Sequence, residues 1–343
     1  MRRMTSTALI LTLGLFTYSA NGLMLTAAPA VSIKLATLAP AGTSYDLILK
    51  QMGEKWRKAT NGEVNLRVYP GGNQGSEADI VRRMNVGELQ AAMLSVGGLS
   101  EIDPTAAALQ EIPMLFRSLA EEEYVREKMR ADFERRLLAK GFVALFWGDS
   151  GWVRFFSRNA GIRPEDFKSM KIFVTASSNA KETQIIQSLG YKPVALDWAD
   201  ALIQLQTGGV DAVQAPPILA LSGQYYTVVK HMTELNWVPL VGATVVTKRA
   251  WDSIPQTTRD LMSAGAADAG RQIQESSRRE SDESVDTMKK KWGLTVHTLT
   301  PELEQQWRTF AEAIYPQIRG TLVPADVFDE ARRLVAEYRA SHK

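Results

Sequence analysis

From residue 31 onward, short apolar runs with a two-residue period alternate with longer runs of helical period, and this order limits the fold more than any other feature. VSIKLATL at 31–38 reads as a strand, Thr43 or Ser44 can cap a helix running to about Ala59, and GEVNLRVYP at 62–70 puts Val64, Leu66 and Val68 on one face of a second strand. The glycine turn PGGNQGSE feeds a helix near 77–85, Gly87 stops it, and LQAAMLSVGG reads as a buried strand. Strands separated by helices cannot pair as hairpins, so the order implies a mixed, mostly parallel sheet covered by helices.

The junction Gly87-Glu88-Leu89-Gln90-Ala91 recurs as Gly208-Gly209-Val210-Asp211-Ala212, each following a helix and opening a strand. Two lobes of one architecture leave such a trace, as does chance recurrence of a common junction. Between the copies, GFVALFWGDSGWVRFFS at 141–157 reads as an aromatic-rich strand pair with no helix between, suited to crossing from lobe to lobe. LNWVPLVGATVVTK at 235–248 is a second candidate crossover. Residues 255–292 read as one or two helices around Gly265 and Gly270, and two further helices open on Pro301 and Pro324, a favoured first position. The last is expected to cover a lobe rather than to mediate dimerisation. In KIFVTASSN, from Lys171, a strand runs into small polar residues ahead of a helix, the kind of turn that faces a ligand in α/β proteins.

Lys and Arg number 40 against 38 Asp and Glu, a net charge of +2 that predicts no nucleic acid or other polyanionic partner. Residues 1–30 carry Arg2 and Arg3, an apolar run from Ala8 to Phe16 and Ala28-Pro29-Ala30, the form of a secretory signal peptide cleaved after Ala30. With no cysteine there is neither a disulfide framework nor a thiolate metal site, and an exported chain of this kind fits the bacterial periplasm. His231, His297 and His342 form no zinc-binding spacing. Gly148-Asp149-Ser150-Gly151 resembles the nucleophile segment of chymotrypsin-like proteases, but no histidine precedes it and the pattern is α/β rather than β-barrel. PGGNQGSE lacks the Lys-Ser/Thr of a phosphate loop, and no cofactor is expected. What stands out is aromatic: Trp147, Trp152, Phe173, Trp198, Trp237, Tyr225 and Tyr226 lie near predicted strand ends, where they either pack cores or line a cleft.

Taken in order, IKLATLAPAGTSYD, TNGEVNLRVYPGGNQGSE, VGELQAAMLSVGG, IPMLFRS, RPEDFKSMKIFV and LQTGGVDAVQAPP resemble segments of the DctP-type solute-binding proteins of tripartite ATP-independent periplasmic (TRAP) transporters, over roughly 32–320. The resemblance implies a non-enzymatic protein of two α/β lobes around a cleft, joined by crossover strands and a long helix. It also implies a small-molecule ligand, delivery to small and large membrane subunits, and room for a periplasmic helper protein. The expected division is lobe I at 31–150 plus about 241–280, lobe II at 151–240 plus about 281–320, and a C-terminal helix at 321–343.

The family's carboxylate-gripping arginine falls on Phe173, its second arginine on Val153 with Arg154 one place late, and its asparagine on Ala215. One residue of slip in a strand turns a side chain to the opposite face. The cargo expected is therefore bulky, apolar or without a carboxylate to be clamped. The candidate wall consists of Phe173, Val153, Trp152, Ala215, Gln214, Trp198, Trp237, Trp147, Thr175, Ser95, Glu77, Gln74 and Tyr45. The alternatives are an organic acid held by Arg154 or an exported α/β hydrolase using Asp149, Ser150 or the Asp197 and Asp200 pair.

Overall fold

The structure, a computed structural model, describes residues 31–175 and 180–342; the segment read as a signal peptide and the 176–179 part of the KIFVTASSN turn lie outside the described residues. The first half runs β1 (Val31–Thr37), α1 (Ser44–Ala59), β2 (Val64–Tyr69), α2 (Glu77–Asn85), β3 (Ala91–Ser95), α3 (Val96–Ser100), α4 (Leu119–Ala139) and β4 (Phe142–Ser157). There follow β5 (Lys171–Thr175), α5 (Ala180–Ser188), β6 (Lys192–Leu196), α6 (Ala201–Thr207), β7 (Ala212–Ala215), α7 (Pro217–Ser222) and β8 (His231–Thr247). The chain closes with α8 (Lys248–Asp252), α9 (Gln256–Trp292), β9 (Thr295–Thr298), α10 (Pro301–Ile318) and α11 (Ala325–Ser341).

The strands lie in the order β2-β1-β3-β8-β4-β7-β5-β6, with β9 on β8. At each end the pairing is parallel, β1 with β2 and β3, β5 with β6 and β7, as helix-separated strands require. In the middle, β4 and β8 run antiparallel along their whole length, so both strands belong to both ends of the sheet. Their register shifts between Ala144 and Phe146, between Asp149 and Trp152, and between Val153 and Phe155. Such bulges bend and twist a sheet, and here they let one sheet serve two lobes. The segment 141–157 is thus one bulged strand, not the strand pair expected.

The helices follow from their sequences. Ser76 caps α2 by accepting from the Asp79 amide while the Asp79 carboxylate accepts from the Ser76 amide, a closed capping box. The 255–292 stretch is a single 37-residue helix, α9, ended by Gly293 at φ +70°. At ~1.5 Å per residue this is ~55 Å, long enough to run beside both lobes. Its Met262, Ala266 and Ile273 pack in the core against α1 and β1, and its Met288 packs with Phe173 and Leu205 in the core of the other lobe. Helix α10 likewise places Ile314 and Ile318 in one core and Trp307 in the other. Helix α11 buries Phe328, Leu334 and Val335 over the lobe that also holds α4.

Candidate functional site

Between the lobes lies a cavity of about 1170 Å³. One wall comes from the turns after β1, β2 and β3, the other from the ends of β5, β6 and β7, and the floor from the bulged middles of β4 and β8. Ligands of α/β sheets bind at the carboxyl ends of strands, and two such ends face each other here.

Of the residues singled out from sequence, Phe173, Val153, Gln214, Trp198, Trp237, Thr175, Ser95, Glu77 and Tyr45 line the cavity. Phe173 stacks obliquely on Trp198 with ring centroids 4.8 Å apart, and Trp198 lies nearly parallel to Tyr225 at 6.4 Å, forming an aromatic floor on one lobe. A second aromatic group, packed with Ile172 of β5 and Ala212 of β7, has Trp237 meeting Phe155 edge-on at 5.6 Å, with Trp307 and Phe310 beside them.

Trp147, Trp152, Ala215, Gln74 and Arg154 are not in the wall. The bulge between Ala144 and Phe146 turns Trp147 into the core against Phe133, and Trp152 packs against that same core. Ala215 is fully buried within β7. Gln74 is half-buried and bonds Asn73. On β4, Val153 and Phe155 reach the cavity, whereas Arg154, at the register shift between them, is not in its wall and has Glu234 and Asp282 as the nearby negative charge.

Two wall residues are tied to each other. The buried Glu77 carboxylate accepts from the Ser95 amide at 2.6 Å, the Ser95 hydroxyl and the Gly98 amide at 3.0 Å. A Cβ on Gly98 would lie 2.9 Å from Glu77 atoms, so glycine is required for this approach. The pair fixes the β3–α3 turn, which makes 96–100 a helix where the sequence suggested continuing strand. Burial raises the Glu77 pKa.

At the floor, Tyr45 is 5% exposed, and its hydroxyl sits by Ser150 and Ser277 with no hydrogen-bond partner. Burial pushes that phenol up to about 12, so it stays a neutral donor. Asp149 is held by Arg278 and by the Gly151 amide, so the Gly-Asp-Ser-Gly stretch is a structural bend rather than a catalytic one.

Sequence reasoning missed the charge pattern. Among the described residues of the wall there is no lysine, arginine or histidine, and its charged side chains are Glu77, Glu101, Glu111, Asp149, Glu182 and Asp197. It also missed that His231 and His297 meet across β8 and β9, Nδ1 to Nε2 at 3.0 Å. Among the described residues no cluster of three or more His, Cys, Asp or Glu could hold a metal.

The family model for bacterial extracellular solute-binding proteins of family 7, DctP, matches residues 35–320. The chain belongs to this family. Its relatives include the C4-dicarboxylate-binding periplasmic protein DctP of Rhodobacter capsulatus, 23% identical over 78% of this chain and 80% of that protein. The 2,3-diketo-L-gulonate-binding periplasmic protein YiaO of Escherichia coli is 22% identical over 82% and 83%. Among solved structures, a TRAP periplasmic solute-binding protein of Sulfurospirillum deleyianum with bound succinate superposes with a TM-score of 0.81 at 21% identity, covering 89% of this chain and 99% of that one. One from Fusobacterium nucleatum with bound sn-glycerol-3-phosphate gives 0.82 at 20%, covering 91% and 99%. The chain thus has the two-lobed fold of TRAP solute-binding proteins, which bind rather than transform their ligands.

Proposed function

We propose that this DctP-family protein captures a bulky, largely apolar small molecule lacking a carboxylate that must be clamped, and presents it in the periplasm to the membrane subunits of a TRAP transporter. One observation carries the reading: no cation lines the cleft among the described residues. Enclosing a carboxylate without paired donors costs several kcal/mol. Apolar surface against Phe173, Trp198 and Trp237 gains ~25 cal/mol per Å² removed from water. Uncharged polar groups in the wall, Tyr45, Ser95, Thr175 and Gln214, supply directional contacts.

Transport follows from the mechanics of the fold. The lobes are joined by the bulged β4 and β8 and flanked by α9, so a ligand that contacts both walls stabilises the closed arrangement. The permease then distinguishes loaded from empty protein by shape. Native mass spectrometry of protein purified from its own periplasm tests the assignment. The expected mass is that of an aromatic or alicyclic molecule with no free acid, and a small dicarboxylate or sugar acid would contradict it.

A further inference from the structure

The geometry points to a second binding site outside the cleft: His231 of β8 and His297 of β9 form a two-histidine seat for one divalent transition-metal ion, Cu2+ or Ni2+. Neither residue lines the cavity, so the site is separate from the cargo's.

Strand pairing builds the seat. β9 lies parallel to β8 with His231 opposite Thr295 and Thr233 opposite His297, which puts the two histidines two positions apart in register and on one face. Met232, between His231 and Thr233, packs in the core that holds Phe173. The backbone beneath is held from the other side as well. β4 pairs with the same stretch of β8, Ser157 opposite His231, and the Thr233 hydroxyl donates to the Gly161 carbonyl.

The imidazoles meet through Nδ1 of His231 and Nε2 of His297, 3.0 Å apart, with ring planes 26° from parallel. Two nitrogens bound cis to one ion at ~2.0–2.1 Å are themselves about 3 Å apart, so the spacing is that of a chelate. The atoms that meet also set the tautomers, leaving Nε2 of His231 and Nδ1 of His297 to carry the protons. A metal takes the neutral ring, and burial together with the neighbouring His297 lowers the His231 pKa, which favours that form.

The surroundings do not compete with an ion. Lys230, beside His231 in the chain, directs its ammonium to the Tyr226 and Trp292 carbonyls, and Glu234 accepts from the Thr298 hydroxyl. Both histidines are half-buried, and among the described residues no third His, Cys, Asp or Glu joins them, which leaves the remaining positions to water. Two imidazole nitrogens with water oxygens match the tetragonal preference of Cu2+ and Ni2+ better than the closed tetrahedron of structural Zn2+. An ion held here ties β9 to β8 directly after the long helix α9 ends at Gly293, so binding stabilises the folded chain.

The test titrates Cu2+ and Ni2+ calorimetrically, at neutral pH, into untagged protein and its His231→Asn, His297→Asn and His342→Asn variants. The expected result is one ion per chain, held at least about tenfold more weakly by either of the first two variants and equally well by the third. Binding should also weaken as pH falls through the imidazole range near ~6.5. Because a substitution can disturb the strand pair, electron paramagnetic resonance of the wild type with one equivalent of Cu2+ gives an independent reading, and couplings from two imidazole nitrogens are expected. No binding up to millimolar metal, affinity unchanged in His231→Asn or His297→Asn, or a Cu2+ spectrum with fewer than two imidazoles would overturn the site and leave the pair as a hydrogen bond between neutral rings.

Discussion

Arg278 on α9 grips Asp149 at the bend of β4 with two hydrogen bonds, Nε to Oδ1 at 2.9 Å and Nη2 to Oδ2. Asp149 is fully buried, and the other guanidinium near it is that of Arg126, 3.9 Å away and itself 3.7 Å from the buried Glu122. Burial pushes Glu122 up to about 8, against the charges of Arg126 and Arg278, which act to lower it. Removing one partner of a buried pair leaves the other desolvated and unpaired. Arg278→Met should therefore destabilise the protein by about 3 kcal/mol in urea unfolding, and Arg278→Lys, which keeps the charge without the fork, by less.

Helix α9 approaches β4 closely because residue 270 has no side chain. A Cβ there would lie 2.8 Å from three atoms of Phe146, whose ring is buried in the floor of the cleft. Gly270→Ala should cost about 1–3 kcal/mol, read as a lowered Tm. Gly265→Ala, whose Cβ would meet Trp56 at 3.2 Å, should cost less.

Closure should depend on pH through Glu111. In this structure burial first, and then Glu182, push its pKa up to about 8, whereas a carboxyl released into solvent by opening titrates near ~4.3. The closed form therefore holds the extra proton, and the sign follows: closure around an uncharged ligand is unhindered below the open-form pKa. It becomes steadily less favourable as pH rises, levelling off above about 8. Affinity for such a ligand, measured from pH 5 to 9, should fall by up to about tenfold per pH unit within that window. Glu111→Gln should flatten the profile.

The sequence was most legible where local signals and tertiary packing agree. The glycine turn before α2, the glycine stop after it and the proline starts of α10 and α11 are local, and they mark elements that exist. The strand reading of Val96–Gly98 failed because Glu77, distant in sequence, draws the Gly98 amide into a helical turn. Trp147 was misassigned because the bulge beside it changes which way successive side chains point, and period-two counting cannot see a bulge. Strand β9 is only Thr295–Thr298, too short to show a period, and with it went the His231–His297 contact.

At the site, the absence of an arginine at Phe173 was readable because it concerns a single position. The acidic wall was not. Glu111 follows a short 3₁₀ turn and Glu182 lies on α5, and the two come into each other's field only through tertiary packing such as that of Ile185 and Leu189.

The central claim is that this cleft does not clamp a small carboxylate, and calorimetric titration with succinate tests it most directly, on the wild type and on Phe173→Arg in parallel. The account predicts no detectable heat of binding for the wild type up to millimolar succinate, and a measurable affinity gained by the variant, whose guanidinium would face the carboxylate bidentately. Micromolar succinate binding by the wild type, unimproved or abolished by Phe173→Arg, would contradict it.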